Sequence, residues 1–167
     1  MHMIGQNDRE LFIIGGGGLG KEIISISRSL NIWKDIRVVD DSLPKDTVIL
    51  GCPVWGNFND LMNHQKQFDL VIAIGIPELR RKFYFKIRNN ANVSFPNIVG
   101  EKASCYADIS NNQGIVIYDH VFISGDAKIG DFTIIRGNSF YSHDCDIASF
   151  TILPAGNYVN KGIKIEL

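Results

Sequence analysis

Apolar residues recur at every sixth position over the last third of the chain. The members of this register are Ile117, Ile123, Ile129, Ile135, Tyr141, Ile147, Leu153, Val159 and Ile165. A second register, mostly of small residues, contains Val121, Ala127, Thr133, Ser139, Cys145 and Thr151. A period of six fits neither the 3.6-residue turn of a helix nor a simple hairpin array. It is typical of a parallel β-helix, in which each short strand forms one side of a coil and stacked coils share a core.

The N-terminal half of the chain has a different pattern, in which strands alternate with helices. The apolar run 11–14 leads directly into the glycine-rich run 15–20, and a helical pattern follows over residues 21–30. This layout is typical of a nucleotide-binding βα unit, because glycines let the backbone approach a phosphate and the helix N-terminus supplies NH groups. Gly15, Gly17 and Gly20 fit the spacing G-x-G-x-x-G, although four glycines in a row satisfy many patterns by chance.

The next predicted strand, residues 36–39, ends in Asp40 and Asp41. An acid about twenty residues beyond the glycines is where such folds hold a ribose hydroxyl. The alternative is a solvated turn at the end of a strand. We favour the nucleotide contact, because the strand, loop, helix and acid occur in the expected order.

Further elements complete an α/β pattern up to about residue 90. We predict a strand over residues 48–54, interrupted at Pro53, and helices over residues 58–65 and 78–89; a buried strand over residues 68–74 is closed by Gly75. Alternating strands and helices indicate a parallel sheet, whose ligand edge would collect the glycine loop, Asp40, Asp41 and residues 73–75. A unit of this size is too small for a two-halved dinucleotide domain, which argues against a nicotinamide-dependent oxidoreductase.

The last predicted helix is rich in basic residues. They are Arg80, Arg81, Lys82, Lys86 and Arg88. For most of them a solvated helix face is the favoured interpretation, and phosphate binding is the alternative.

Bulk properties narrow the class of protein. The formal net charge of −1 offers no basic field for nucleic acid. No apolar run approaches the ~20 residues of a membrane span, and residues 1–10 lack the apolar core of a signal peptide, so we expect a cytoplasmic protein without a membrane partner. The three cysteines, Cys52, Cys105 and Cys145, lack metal-ligand spacing, so we predict buried free thiols and no metal site.

We therefore predict two domains: residues 1–95, an α/β Rossmann-like domain, and residues 96–167, a short β-helix of hexapeptide repeats. Since eighteen residues make one triangular coil, residues 117–167 supply just under three coils, and one partial turn is expected before them. Ile163 and Ile165 remain apolar close to Leu167. This pattern led us to expect either a partner over that end of the coil or a chain shorter than its relatives.

Several motifs in order resemble the bacterial sugar O-acyltransferase and sialic acid O-acetyltransferase family of the NeuD type, including the PglD-type nucleotide-amino-sugar N-acetyltransferases. The motifs are FIIGGGGLG at 12–20, VDD at 39–41, ILGCPVWG at 49–56, AIGIPELR at 73–80, FPNI at 95–98 and SHDC at 142–145. The resemblance covers nearly the whole chain. It implies a left-handed β-helix, a homotrimer, and acetyl-CoA as co-substrate in the groove between neighbouring β-helices.

The resemblance also assigns roles to residues. The catalytic histidine of the family falls on His143 and its acidic neighbour on Asp144, whereas no family motif falls on His120. Contacts to a nucleotide sugar fall on a set comprising Gly16, Gly17, Gly18, Leu19, Asp40, Asp41, Ala73, Ile74 and Gly75. Cofactor contacts fall on Ile152, Lys161 and Gly162, where this chain departs from its relatives, which often have histidine at the first position and glycine at the second. Many relatives also have histidine where this chain has Leu19.

The residues themselves suit acyl transfer. A neutral imidazole can take a proton from an acceptor amine or hydroxyl near neutral pH, and a neighbouring carboxylate can fix its tautomer. The leading hypothesis is an acetyl-CoA-dependent acetyltransferase that acts on a nucleotide-linked amino sugar or a sialic-acid-like sugar in surface-glycan synthesis. The alternative is a non-catalytic member of the family that binds a sugar nucleotide.

Overall fold

The structure, a computed structural model, describes residues 7–166. The chain divides into two compact units, with the division between Phe95 and Pro96.

The first unit is a six-stranded sheet with three helices. Its strands are β1 (Asn7–Ile14), β2 (Trp33–Val39), β3 (Val48–Ile49), β4 (Cys52–Gly56), β5 (Phe68–Ile72) and β6 (Val93–Ser94), and its helices are α1 (Gly18–Leu30), α2 (Phe58–Met62) and α3 (Pro77–Ile87). The strand order is β3-β4-β2-β1-β5-β6, and every pair is parallel except the antiparallel pair of β3 and β4. The Rossmann-like arrangement predicted from the sequence is confirmed.

The centre of this sheet is apolar on both faces. In β1, Leu11, Phe12 and Ile13 are fully buried, and every residue of β5 is buried. Strands with uninterrupted apolar runs belong at the centre of a parallel sheet, since helices cover both of its faces. The parallel pairing of β1 with β2 and with β5 places the carboxyl ends of these strands, with the loops that follow them, side by side at one edge.

Element boundaries differ from the predictions in several places. Residues 48–54 do not form one strand: β3 and β4 make a hairpin in which Leu50 and Gly51 both have positive φ, at 46° and 75°. Two left-handed residues in a row define the tight turn that matches the twist of a hairpin, so the interruption lies at the turn and not at Pro53. Helix α2 ends at Met62, and α3 begins at Pro77, which suits a first helical position because proline lacks an NH.

The second unit is a left-handed parallel β-helix. In the described chain it contains eleven strands of two residues each, namely β7 (Ile98–Val99), β8 (Ser104–Cys105), β9 (Val116–Ile117), β10 (Phe122–Ile123), β11 (Lys128–Ile129), β12 (Ile134–Ile135), β13 (Phe140–Tyr141), β14 (Asp146–Ile147), β15 (Ile152–Leu153), β16 (Tyr158–Val159) and β17 (Lys164–Ile165). They form three parallel sheets, ordered β16-β13-β10-β8, β11-β14-β17 and β15-β12-β9-β7. Strands β7 and β8 provide the partial turn expected before residue 117.

Both sequence registers face the interior of the coil. Register members such as Ile123, Ile135 and Tyr141 are fully buried, and the small residues of the second register, from Val121 to Thr151, are also buried. Strand partners lie eighteen residues apart, as in Phe122 with Phe140 and Phe140 with Tyr158. Equivalent residues of successive coils therefore stack directly on one another.

From residue 114 to residue 162, one residue in each corner of the coil has a left-handed backbone, a third register that the sequence interpretation did not include. These residues are Gly114, His120, Asp126, Phe132, Asn138, Asp144, Phe150, Gly156 and Gly162, with φ between 58° and 72°. Glycine, asparagine and aspartate adopt this conformation most easily, whereas phenylalanine pays a larger steric cost. The rings of Phe132 and Phe150 are buried and stacked, 4.9 Å apart, which offsets part of that cost.

The irregular segment before the regular coils is held by Asn97. Its Nδ2 donates to the carbonyls of Ile109 and Asn112 at 3.0 and 2.9 Å, and its Oδ1 accepts from the NH of Ile115 at 3.0 Å. One side chain thus satisfies three backbone groups of a segment that lacks regular strand pairing.

Candidate functional site

His143 and Asp144 lie side by side in the corner between β13 and β14. The buried residues Tyr141 and Cys145 flank them in the chain, and both polar side chains project outward, 52% and 65% exposed. His143 Nδ1 lies 2.6 Å from Asp144 Oδ2, a short hydrogen bond. The coil therefore presents an imidazole and a carboxylate as a pair at its surface.

This pairing suits a general base. When Nδ1 carries the proton and donates it to the carboxylate, Nε2 keeps its lone pair and can accept a proton from a substrate. The carboxylate then stabilises the imidazolium that forms. Asp144 also has a φ of 60°, so the corner itself favours aspartate, asparagine or glycine at this position, independently of any chemistry.

The coil register determines the neighbours of the pair. The strands on both sides of the corner pair with β16 and β17 at a spacing of eighteen residues, so Lys161 and Gly162 occupy the same corner one coil further along. The NH of Gly162 donates to the carbonyl of His143 at 3.3 Å. Ile152 lies on β15, in a different sheet. Within one chain, two of the three predicted cofactor residues adjoin His143 and the third lies on another side of the coil.

A second candidate site is an open cleft of about 770 Å³ at the carboxyl edge of the sheet in the first unit. It is lined by the ends of β1 and β2 and by residues of α2 and α3, namely Ile14, Gly15, Val39, Asp40, Asp41, Ser42, Asn57, Phe58, Asn59, Ile74, Leu79, Lys82, Phe83 and Lys86. Of the predicted substrate residues, Asp40, Asp41 and Ile74 line this cleft. Gly16, Gly17, Gly18, Leu19, Ala73 and Gly75 do not.

The two aspartates shape the backbone around the cleft. Asp40 accepts from the NH of Gly16 through Oδ2 and from the NH of Ser42 through Oδ1, both at 2.8 Å. Asp41 accepts through Oδ1 from the NH of Phe58 at 2.8 Å, at the first residue of α2. Each carboxylate thus fixes a loop at the cleft edge, a structural role that the sequence interpretation did not assign to them.

The glycines of the loop fall into two groups. A side chain at Gly20 would place its Cβ 2.0 Å from the carbonyl oxygen of Gly15, so close packing of helix against strand requires glycine there. Gly17 and Gly18 are exposed, and a Cβ on either meets nothing within 4 Å. Packing therefore does not explain glycine at those two positions. Leu19 is only 9% exposed, so its side chain belongs to the core.

The basic residues of α3 occupy different environments in the structure. Arg80 is 1% exposed and donates from Nη1 to the carbonyl of Ile74 at 3.1 Å, which ties the helix to the turn after β5. Burial lowers the pKa of Arg80 to about 10, so its guanidinium stays charged at neutral pH. Lys82 and Lys86 line the cleft. The signal that could have identified them is their spacing of four residues, interleaved with Leu79 and Phe83 on one helix face.

Over residues 7–166, no three histidine, cysteine or acidic side chains are arranged to hold a metal ion. In the same range, no helix has the length and apolarity needed to cross a membrane.

Known proteins resemble this chain in both of its units. Residues 10–87 match the family described as the PglD N-terminal domain. The acetyltransferase domain of PglB from Neisseria gonorrhoeae FA1090 is 25% identical, with a TM-score of 0.87 over 95% of this chain and 77% of that one. A variant of perosamine N-acetyltransferase from Caulobacter crescentus, solved with CoA and GDP-perosamine, is 27% identical, with a TM-score of 0.80 over 96% of this chain and 74% of that one.

WeeI from Acinetobacter baumannii AYE shares the fold at 19% identity, with a TM-score of 0.73 over 95% of this chain and 81% of that one. No curated protein matches the chain. Residues 10–87 thus match the PglD N-terminal domain family, and the chain is similar to PglD-type sugar N-acetyltransferases, as its motifs predicted.

Proposed function

We propose that this protein is an acetyl-CoA-dependent acetyltransferase that acylates a nucleotide-linked amino sugar, with His143 as general base. The observation that carries the proposal is the short hydrogen bond between His143 Nδ1 and Asp144 Oδ2 on an exposed corner of the coil. The likeness to a perosamine N-acetyltransferase solved with CoA and GDP-perosamine supports the choice of co-substrate and acceptor class.

The proposed reaction needs no covalent enzyme intermediate. The acceptor amine attacks the thioester carbonyl while Nε2 of His143 takes a proton from the amine nitrogen. The tetrahedral intermediate then collapses, the carbon–sulfur bond breaks, and the imidazolium returns its proton to the departing CoA thiolate. Asp144 stabilises the imidazolium between these two proton transfers.

The two units have separate parts in this proposal. The cleft of the first unit, with Asp40, Asp41 and Ile74, binds the nucleotide portion of the acceptor. Gly17 and Gly18 do not line the cleft, but they are exposed in the loop that begins at its wall with Gly15, where a side chain would hinder the ligand. Lys161 and Gly162, next to His143 on the following coil, contact CoA. The product, an N-acetylated nucleotide sugar, fits a role in building surface glycans.

The proposal includes a homotrimer. Ile152 lies on another side of the coil from His143. An acetyl-CoA bound between neighbouring copies would contact His143 of one copy and Ile152 of the next. The ladder of stacked rings formed by Phe122, Phe140 and Tyr158 supports self-association, since Tyr158 is 66% exposed and an exposed apolar strip favours a partner. Light scattering on the purified protein measures the assembly directly.

Activity of His143→Ala tests the proposal. Release of the CoA thiol is measured with acetyl-CoA and UDP-, GDP- and dTDP-linked amino sugars as acceptors. We expect turnover to fall by about 10²- to 10⁴-fold, the usual contribution of a general base. His120→Asn is the matched control, because His120 is exposed in another corner and asparagine keeps its left-handed backbone. Unchanged turnover in His143→Ala, or no binding of acetyl-CoA to the wild type, would overturn the proposal.

A further inference from the structure

Helix α3 presents a basic stripe to the cleft of the first unit. Four of its residues line the cleft: Leu79, Lys82, Phe83 and Lys86. Positions four apart on a helix are neighbours on one face, with Cβ atoms roughly 5–6 Å apart. Two ammonium groups therefore project from one wall of the same cleft that Asp40 and Asp41 line.

The lysines are not neutralised by the protein. Within residues 7–166, neither Lys82 nor Lys86 forms an ion pair, and both are exposed. Lys86 Nζ lies 5.9 Å from the centre of the Phe58 ring, over an aromatic face. Among the oxygens of the opposing aspartates, three already accept hydrogen bonds from backbone NH groups. The positive charge on this wall remains available to a ligand.

We infer that Lys82 and Lys86 bind the diphosphate of the nucleotide sugar. This inference rests on the proposed function, since it names the residues that hold one part of the acceptor. A diphosphate that enters this cleft is repelled by the carboxylates of Asp40 and Asp41, and two facing ammonium groups offset that repulsion. Lysine is well suited to this role because it acts as a point charge towards phosphate oxygens.

The geometry also separates these lysines from the other cations of the helix. Arg80 is buried and bound to the carbonyl of Ile74, and Arg81 does not line the cleft. Only the two lysines combine cleft lining with the spacing that lets both reach adjacent phosphates. Their pairing therefore predicts tighter binding of diphosphates than of nucleosides.

Calorimetric titration of the full chain tests the inference, with UDP, GDP, CDP and dTDP as probes and the four corresponding nucleosides as references. Lys82→Gln and Lys86→Gln remove one charge each and keep most of the side chain. We expect each to weaken binding of the preferred diphosphate by about ten-fold, since a hydrogen bond to a charged group is of that size, and to leave nucleoside binding unchanged. Raising the salt concentration should weaken diphosphate binding more in the wild type than in the variants.

Arg81→Gln is the matched control, because it removes the same charge from the same helix outside the cleft, and it should bind the diphosphate like the wild type. Equal loss in Arg81→Gln, or wild-type affinity in both lysine variants, overturns the inference and leaves the proposed function intact. If none of the four diphosphates binds the wild type, the nucleotide-sugar acceptor itself is wrong and the inference falls with it. Thermal unfolding of each variant shows that the fold is retained.

Discussion

Replacing Asp144 by asparagine removes the charge beside His143. Asparagine adopts the left-handed backbone of this corner, where φ is 60°, so the backbone is retained. Its amide can accept a hydrogen bond from Nδ1 or donate one to it. The variant therefore loses both the negative charge that stabilises the imidazolium and the group that fixes the tautomer of His143.

The structure sets the size of the effect. His143 and Asp144 are 52% and 65% exposed, so water screens their attraction in the free protein and such a pair contributes about 0.2–1 kcal/mol. When substrates cover the pair, the bond becomes a desolvated, charge-assisted hydrogen bond of about 1.5–3 kcal/mol. The value for the covered pair predicts that kcat falls by about 10- to 150-fold. The loss should be smaller than in His143→Ala, which removes the base itself.

The assay is thiol release from acetyl-CoA at saturating substrates, which reports kcat. Asp126→Asn is the control: Asp126 has a φ of 59°, is exposed, and lies in the same corner one coil earlier, next to Gly125 instead of a histidine. Both variants should unfold at the wild-type temperature, and only Asp144→Asn should lose activity. Full activity in Asp144→Asn would refute the assigned electrostatic role, as would an equal loss in both variants.

Three further predictions concern stability and ligand approach. Burial holds the pKa of His64 below its ordinary value of 6.5, so the stability linked to its neutral form is complete above about pH 6.5 and is lost as the pH falls below it. Urea unfolding should therefore show a smaller loss between pH 7.5 and 5.5 in His64→Phe than in the wild type, and equal losses would contradict this. Asn97→Ala should cost about 2 kcal/mol in urea unfolding, because three partly buried backbone groups lose their partner, and a change below about 0.5 kcal/mol would argue against that role. Gly20→Ala should lower the melting temperature, because its Cβ would clash with Gly15. Gly18→Ala should keep the wild-type melting temperature and weaken nucleotide binding. The reverse pattern would contradict the assignment of Gly20 to packing and of Gly18 to ligand approach.

The sequence predicted the repeat architecture because each coil imposes its own period on the chain. Large apolar residues must fill the interior at every sixth position, so their register is visible without any structure. The left-handed corner register was harder to recognise, since glycine, aspartate, histidine and even phenylalanine occupy it. Because several residue types can adopt this backbone conformation, at different steric cost, the corner positions show no clear preference in the sequence.

In the first unit, the order of strands and helices was predictable from buried apolar runs and glycines. The hairpin at Leu50 and Gly51 was not, because leucine is a poor residue for a positive φ and the turn is imposed by the pairing of β3 with β4. Side-chain roles were also hidden. The sequence places Asp40 at a strand end, but only the folded chain shows that both of its oxygens hold loop backbone.

The candidate catalytic pair was suggested by a motif and by adjacency in the chain. What the sequence could not supply is the short distance between Nδ1 and Oδ2, which depends on the left-handed turn at Asp144. The cleft-facing lysines had the opposite difficulty. Their spacing was visible in the sequence, but a basic helix face that meets solvent has the same sequence pattern as one that lines a cleft.

The stacking of equivalent corners has a consequence for how such a pair can arise. Residues 122–133 and 140–151 are two successive coil segments related by the eighteen-residue shift, and they have the same amino acid at Phe122 and Phe140, Ser124 and Ser142, Asp126 and Asp144, Ile129 and Ile147, Phe132 and Phe150, and Thr133 and Thr151. This is the relationship expected of an internal duplication. Both copies keep the aspartate that the corner needs, and beside it one has Gly125 where the other has His143. The aspartate that suits the corner backbone is thus present in both copies. A single substitution of the residue before it, glycine to histidine, is enough to create an acid–base pair at this corner.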